Sequence, residues 1–207
     1  NKKISKVPVL VSSLPKAGTI YLLESLSYGL FKKGKIPSCG VFPNYYILSY
    51  ALQEIINNGG VSVAHIPPNR YNVDIIENLT DRMIVHVRDP RQATLSWIEY
   101  FKKLPKKYSL MYGYDEHYEA LGQDDKIRYM RDKFYKDSLE FIKGWVDLSE
   151  NPGSKVQILI KTNEELSTNP IVYFNSILDF YDIPQEMFIL PPPPVVGEKH
   201  FRKGQVG

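Results

Sequence analysis

The chain has 207 residues and a mass of 23.9 kDa, room for one full domain with a sizeable core but hardly for two. Its 43% apolar and 24% charged residues exclude a disordered composition, and 26 Lys plus Arg against 23 Asp plus Glu, net +3, exclude strong general attraction to nucleic acid or anionic lipid. The single cysteine, Cys39, excludes an intrachain disulfide and a cysteine-rich zinc site, and points to a reducing, cytoplasmic setting.

Val7 to Leu14 is a short β-branched run ending at Pro15, which predicts a buried strand giving way to a loop. From Thr19 to Phe31 the apolar residues Ile20, Leu22, Leu23, Leu26 and Leu30 recur at helical spacing, the stripe of a helix packed on a sheet. Tyr45 to Ile56 reads as a second amphipathic helix, closed by Asn57-Asn58-Gly59-Gly60. Val61 to Ile66 is a strand stopped by Pro67-Pro68. Met83 to Val87 is another, followed by Arg88-Asp89-Pro90-Arg91, where Asp89 can cap a helix and Pro90 can take its first position. That helix runs to about Lys103; a basic, aromatic loop follows to Tyr114, then one long helix from Asp124 to Val146. Lys155 to Ile160 is a last strand, Pro170 to Tyr181 a last helix, and Leu190 to Gly207 a tail that is proline-rich, then basic. Pro191 to Pro194 form a stiff extended spacer. Alternation of strands and helices predicts a single α/β domain over residues 1–207, with a mainly parallel central sheet flanked by helices. No stretch approaches the roughly 18–20 apolar residues of a membrane helix, so no membrane span is expected.

In such sheets ligands bind beyond the carboxyl ends of the strands, where helix N-termini offer N–H groups to anions. Three places there carry unusual residues: Pro15-Lys16-Ala17-Gly18-Thr19, then Arg88-Asp89-Pro90-Arg91 with Ser96, and Phe201-Arg202-Lys203-Gly204 in the tail. Each alone has an ordinary reading: a solvated lysine, a helix start, a basic tail. The phosphate-loop formula Gly-x-x-x-x-Gly-Lys-Ser/Thr is not met, because Lys16 precedes Gly18.

Together they are specific. Leu14-Pro15-Lys16-Ala17-Gly18-Thr19 resembles the 5′-phosphosulfate loop of the soluble sulfotransferases that use 3′-phosphoadenosine 5′-phosphosulfate (PAPS). Val87-Arg88-Asp89-Pro90-Arg91 with Ser96 resembles their 3′-phosphate motif at the family's spacing, and Phe201-Arg202-Lys203-Gly204 with Gly207 resembles their C-terminal Arg-Lys-Gly-x-x-Gly segment. The resemblance spans Leu14 to Gly207 and keeps the family's order, and because the tail motif coincides with the last residue, the natural chain is expected to continue.

The resemblance implies the P-loop-kinase-like sulfotransferase fold and transfer of a sulfuryl group from PAPS to an acceptor hydroxyl or amine, releasing 3′-phosphoadenosine 5′-phosphate (PAP). It implies a 5′ site from Lys16, Gly18 and Thr19 and a 3′-phosphate site from Arg88, Ser96, Arg202, Lys203 and Gly204, with Ala17, Ile20 and Tyr21 also among the donor-binding residues. Lys16 would stabilise charge on the leaving phosphate oxygen. Val63-Ala64-His65-Ile66-Pro67 resembles the family's Lys-x-His-Leu-Pro segment, which makes His65 the base. No metal is expected, and the acceptor is a small molecule, a lipid or a glycan, not nucleic acid. Three positions depart from the family: Val63 replaces its lysine, Tyr21 a tryptophan that stacks on adenine, and Asn163 in Asn163-Glu164-Glu165-Leu166 its tyrosine. Val63 and Asn163 suggest one alternative, a PAP- or PAPS-binding module impaired in transfer; a P-loop kinase-like enzyme of the same broad fold is another. His86 reads as a packed strand residue. Tyr45, Tyr46, Tyr50, Tyr100, Phe101, Tyr108, Tyr112 and Tyr114 are candidates to line an acceptor pocket, and Lys102, Lys103, Lys106 and Lys107 a solvated basic face.

Overall fold

Strand β1, Val9–Ser13, is buried on both faces, as a central strand of a parallel sheet must be. The computed structural model describes residues 7–103 and 116–192. Around β1 lie β2 (Gly34–Lys35), β5 (Val61–Ala64), β6 (Arg82–Val87) and β7 (Gln157–Thr162), in the order β2-β5-β1-β6-β7 and all parallel. A separate antiparallel pair joins β3 (Ser38–Cys39) to β4 (Tyr46–Ile47). The architecture is the expected α/β fold, a parallel sheet with helices on both faces.

The alternation of each strand divides the core in two. Val9, Val11, Val61, Val63 and Ile84 pack against Leu22 and Leu26 of helix α1 (Thr19–Gly29), and against Tyr173, Phe174 and Ile177 of α9 (Pro170–Phe180). Leu10, Ala64, Met83, Val85 and Val87 face the other way. They meet Leu52 of α2 (Ser49–Asn58), Ile76 of α3 (Arg70–Leu79), Trp97 of α4 (Pro90–Phe101), and Phe141 and Trp145 of α7 (Lys136–Ser149). Each fully buried Leu, Val or Ile contributes roughly 1.5–3 kcal/mol by leaving water.

Two predicted helices differ from their sequence reading, and several short elements are additional. The predicted helix from Tyr45 begins only at Ser49, because the buried Asn72 side chain accepts from Ile47 N–H at 2.9 Å and donates to the Tyr45 and Pro67 carbonyls, each at 2.9 Å. Those bonds hold residues 45–47 extended. The long helix predicted over 124–146 divides into α6 (Gln123–Met130), a π-helical turn at Arg131–Tyr135, and α7. The wide turn keeps Met130, Phe134, Phe141 and Trp145 all on the core side. Strands β2, β3 and β4, helix α3, the short α5 (Glu116–Ala120) and α8 (Asn163–Thr168) are additional. Helix α8 is set by a capping box: Thr162 Oγ1 accepts from Glu165 N–H at 3.1 Å while the Glu165 carboxylate accepts from Thr162 N–H at 2.7 Å. Among the described residues, no helix is long and apolar enough to cross a membrane.

The chain builds outward from β1 to one edge through β2 and β5, then returns to place β6 and β7 on the other side. The C-terminal ends of β5, β1 and β6 therefore meet where the winding reverses, the place where an open α/β sheet holds its ligand.

Candidate active site

The loop from Leu14 to Gly18 turns β1 into α1 with its carbonyls drawn inward. The Leu14 carbonyl accepts from Ala17 N–H at 3.1 Å and that of Gly18 from Leu22 N–H at 3.0 Å. The Lys16 carbonyl accepts from Arg88 Nη1 at 3.1 Å, and the Ala17 carbonyl is met by His86 Nε2 at 2.8 Å. The Ala17 methyl is fully buried. Two left-handed residues make the turn, Lys16 (φ 66°) and Gly18 (φ 90°). Glycine suits the second, since any Cβ there would be strained by φ and would sit 3.3 Å from Asn163 Oδ1.

With Gly18 as N-cap, α1 begins without a side-chain cap. The first intrahelical donor is Leu22, so the N–H groups of Thr19, Ile20 and Tyr21 have no acceptor within the helix. All three are among the residues expected to bind the donor. Uncommitted N–H groups at the positive end of a helix suit a phosphate or phosphosulfate. Thr19 Oγ1 lies 2.9 Å from Ser13 Oγ, which ties the helix start back to the strand.

His65 follows β5 directly and stands beside this loop. Its Nδ1 is 2.8 Å from the Ser13 carbonyl; a carbonyl only accepts, so Nδ1 carries the proton and Nε2 keeps its lone pair. Burial, reinforced by the charge of Lys16, lowers its pKa to about 4 against the Ser13 hydrogen bond, leaving a neutral imidazole at neutral pH. The next residue is held too, since the Ile66 carbonyl accepts from Ser12 Oγ at 2.6 Å and from Trp145 Nε1 at 3.0 Å. Tyr45 packs edge-on to the His65 ring, with centroids 5.4 Å apart. Lys16 Nζ rests 3.9 Å from the Tyr100 ring centroid and 5.6 Å from that of Trp97.

Arg88, at the end of β6, bridges the loop and helix α4: Nη1 bonds the Lys16 carbonyl and Nη2 bonds Gln92 Oε1 at 3.1 Å. Ser96 follows Gln92 by one i,i+4 step and so lies on the same side of α4. Asp89 caps α4, accepting from Arg91 N–H at 2.8 Å, and its carboxylate also holds the Arg91 guanidinium. The hydrogen bonds from Arg91, with its charge, keep the Asp89 carboxyl below its ordinary range. The N–H of Asp89 donates to Glu164 Oε1 at 3.2 Å, which brings α8 against the same corner.

The structure thus brings Lys16, Ala17, Gly18, Thr19, His65 and Arg88 to one corner, with Ile20, Tyr21 and Ser96 on the helices that leave it. Arg202, Lys203 and Gly204 lie outside the described residues. Val63 is fully buried against α1 and α9, so it offers no substitute for a cation. Asn163 stands against Gly18. Of the candidate acceptor aromatics, Tyr45 and Tyr100 approach His65 and Lys16. Tyr46 pairs with Tyr71, Tyr50 is exposed, and Phe101 is buried; Tyr108, Tyr112 and Tyr114 lie outside the described residues, as do Lys106 and Lys107. Lys102 pairs with Glu99 at 2.7 Å, and Lys103 is exposed. The contacts of His86, Gln92 and Tyr100 carry no sequence signal, because each depends on side-chain direction in the folded chain. Among the described residues, no group of three or more His, Cys, Asp or Glu side chains is placed to hold a metal.

No protein-family model and no curated protein matches the chain. Solved structures do. Mouse sulfotransferase SULT7A1 complexed with PAP is similar at TM-score 0.65 and 15% identity, over 98% of this chain and 76% of the mouse one. A sulfotransferase from Alicyclobacillus acidocaldarius is similar at TM-score 0.52 and 14% identity, over 93% and 87% of the two chains. A sulfotransferase domain from the curacin biosynthetic pathway is similar at TM-score 0.52 and 16% identity, over 87% and 76%. With a central parallel sheet, a loop at the end of its first strand and these neighbours, the chain has the sulfotransferase fold.

Proposed function

We propose that the chain is a PAPS-dependent sulfotransferase, transferring a sulfuryl group to a hydroxyl or amine of a small molecule, lipid or glycan and releasing PAP. One observation carries this reading. Lys16 on an anion-ready loop and a neutral His65 with its Nε2 lone pair stand side by side at the ends of adjacent parallel strands. An acceptor hydroxyl bonded to His65 Nε2 loses its proton to that nitrogen as its oxygen attacks sulfur in line. The bond from sulfur to the bridging phosphate oxygen breaks, and Lys16 Nζ and the N–H groups of Thr19 and Ile20 take up the charge that develops there. Lys16 must leave the face of Tyr100 to do so. Arg88, with Ser96, Arg202, Lys203 and Gly204, is assigned the 3′-phosphate. No metal is needed, because the sulfuryl group carries less charge than a phosphoryl group.

The test is incubation with sulfur-labelled PAPS and a panel of alcohols, phenols, amines and glycans, in buffer with excess chelator. Transfer of label to at least one acceptor is expected. Tight PAP binding without transfer to any acceptor would select a binding module impaired in transfer, and ATP hydrolysis in place of both would select a kinase-like enzyme.

A further inference from the structure

His86 is a fully buried titratable side chain that the mechanism above does not use. It sits on β6 at the same parity as Ile84, so it faces the layer of α9, and it is 0% exposed. Its Nε2 lies 2.8 Å from the Ala17 carbonyl and its Nδ1 lies 2.7 Å from the Tyr173 hydroxyl, the two rings being nearly perpendicular at 85°. A carbonyl can only accept, so Nε2 carries the proton, Nδ1 has the lone pair, and Tyr173 donates to it. Burial, the largest influence on its pKa, favours this neutral form. The charged groups facing the pair are Lys161, opposite His86 on β7, and Glu165 of α8. Lys161 Nζ donates to the Glu165 carboxylate at 2.9 Å and lies 5.3 Å from the Tyr173 ring centroid.

The peptide joining Ala17 to Gly18 is planar and trans, so its C=O and N–H point in opposite directions. With the carbonyl drawn inward to His86, the Gly18 N–H is turned outward, beside the N–H groups of Thr19 and Ile20. Glycine tolerates either sign of φ, so this peptide can flip at little cost unless a side chain holds it. We infer that His86 and Tyr173 are a positioning pair: Tyr173 fixes the His86 tautomer, His86 holds the Ala17 carbonyl, and the Gly18 N–H is thereby aimed at the 5′ end of the donor nucleotide. The inference rests on the PAPS reading proposed above.

Calorimetric titration with PAP of the wild type and of His86→Leu, His86→Gln and Tyr173→Phe tests it, with near-ultraviolet circular dichroism as the check on folding. His86→Leu is expected to weaken PAP about tenfold, as for the loss of one hydrogen bond of this kind, while His86→Gln, whose amide can reach the same carbonyl, stays within about threefold of the wild type. Tyr173→Phe is expected to fall between them. Imidazole nitrogen NMR on the wild type should show His86 protonated at Nε2 and bare at Nδ1. A folded His86→Leu that binds PAP as the wild type does overturns the inference, as does a His86 protonated at Nδ1. Should His86→Leu not fold, the tautomer and Tyr173→Phe decide. A wild type that fails to bind PAP overturns the functional reading itself, and this inference with it, which separates the two failures.

Discussion

Burial and the charge of Lys16 hold His65 neutral far below the ordinary histidine range, with a pKa of about 4. A base must be unprotonated to act, so the acidic limb of kcat/KM, which reports the free enzyme, is expected near pH 4 and not near 6.5. A pH–rate profile with its limb at about 6.5 would mean that a solvated group, not His65 in this setting, takes the proton. His65→Ala should lower kcat by about 10²–10⁴ while leaving PAP affinity near that of the wild type, since in the proposed reaction the ring would serve the acceptor and not the nucleotide. Lys16→Ala should lower kcat by at least about 10². Single-turnover transfer and PAP titration on the same preparations separate the two roles.

At the scale of elements, the same burial links the sheet to pH. His86 has its pKa lowered to about 4 from an ordinary 6.5, so between those values the unfolded chain binds a proton that the folded chain excludes. Stability is then complete above about pH 6.5 and falls as pH drops toward 4, by up to about 3 kcal/mol for a shift of this size. His65 adds to the slope in the same direction. His86→Gln, which has no titrating ring, should flatten part of that slope in urea melts run from pH 7 to 4; an unchanged slope would show that His86 is hydrated in the native state. A second prediction concerns α8, whose capping box places Asn163 and Glu164 at the site. Thr162→Ala removes the acceptor for Glu165 N–H and should cost about 1 kcal/mol in the same melts. The four longer strands β1, β5, β6 and β7 and the helices α1, α4 and α9 are legible because burial on one or both faces leaves a period in the sequence, whereas the two-residue strands β2, β3 and β4 are too short to leave one. The segment 45–47 carries the period of a helix but is held extended by Asn72, 25 residues or more away, and no local pattern reports such a bond. The Lys16 loop and His65 were legible through their resemblance to a family. The His86 and Tyr173 contact was not, because it joins residues 87 positions apart.

At the scale of the whole molecule, the donor would be held by groups far apart in sequence, and the fold determines whether they can converge. Lys16 and Arg88 do: Arg88 Nη1 is bonded to the Lys16 carbonyl, so the ends of β1 and β6 form one corner. The tail starts from the opposite end of the molecule, where Ile189 N–H donates to the Gly29 carbonyl at the far end of α1. Helix α1 has 11 residues, about 16 Å at 1.5 Å each. Arg202 is 13 positions beyond Ile189, a span of up to about 40 Å at roughly 3.1 Å per extended residue. The distance to the Arg88 corner is therefore well within the reach of the tail. If Arg88 and the pair Arg202 and Lys203 serve one phosphate, their loss should be selective for that phosphate. Arg88→Ala and the double variant Arg202→Ala/Lys203→Ala should each weaken PAP by about 10- to 100-fold, the worth of a charge-assisted phosphate contact. Adenosine 5′-phosphate, which lacks the 3′ group, should lose much less on either change. Titration of both nucleotides against the three proteins gives the answer: equal losses for PAP and adenosine 5′-phosphate would mean that these cations shape the loop, and that the 3′-phosphate is held by other residues.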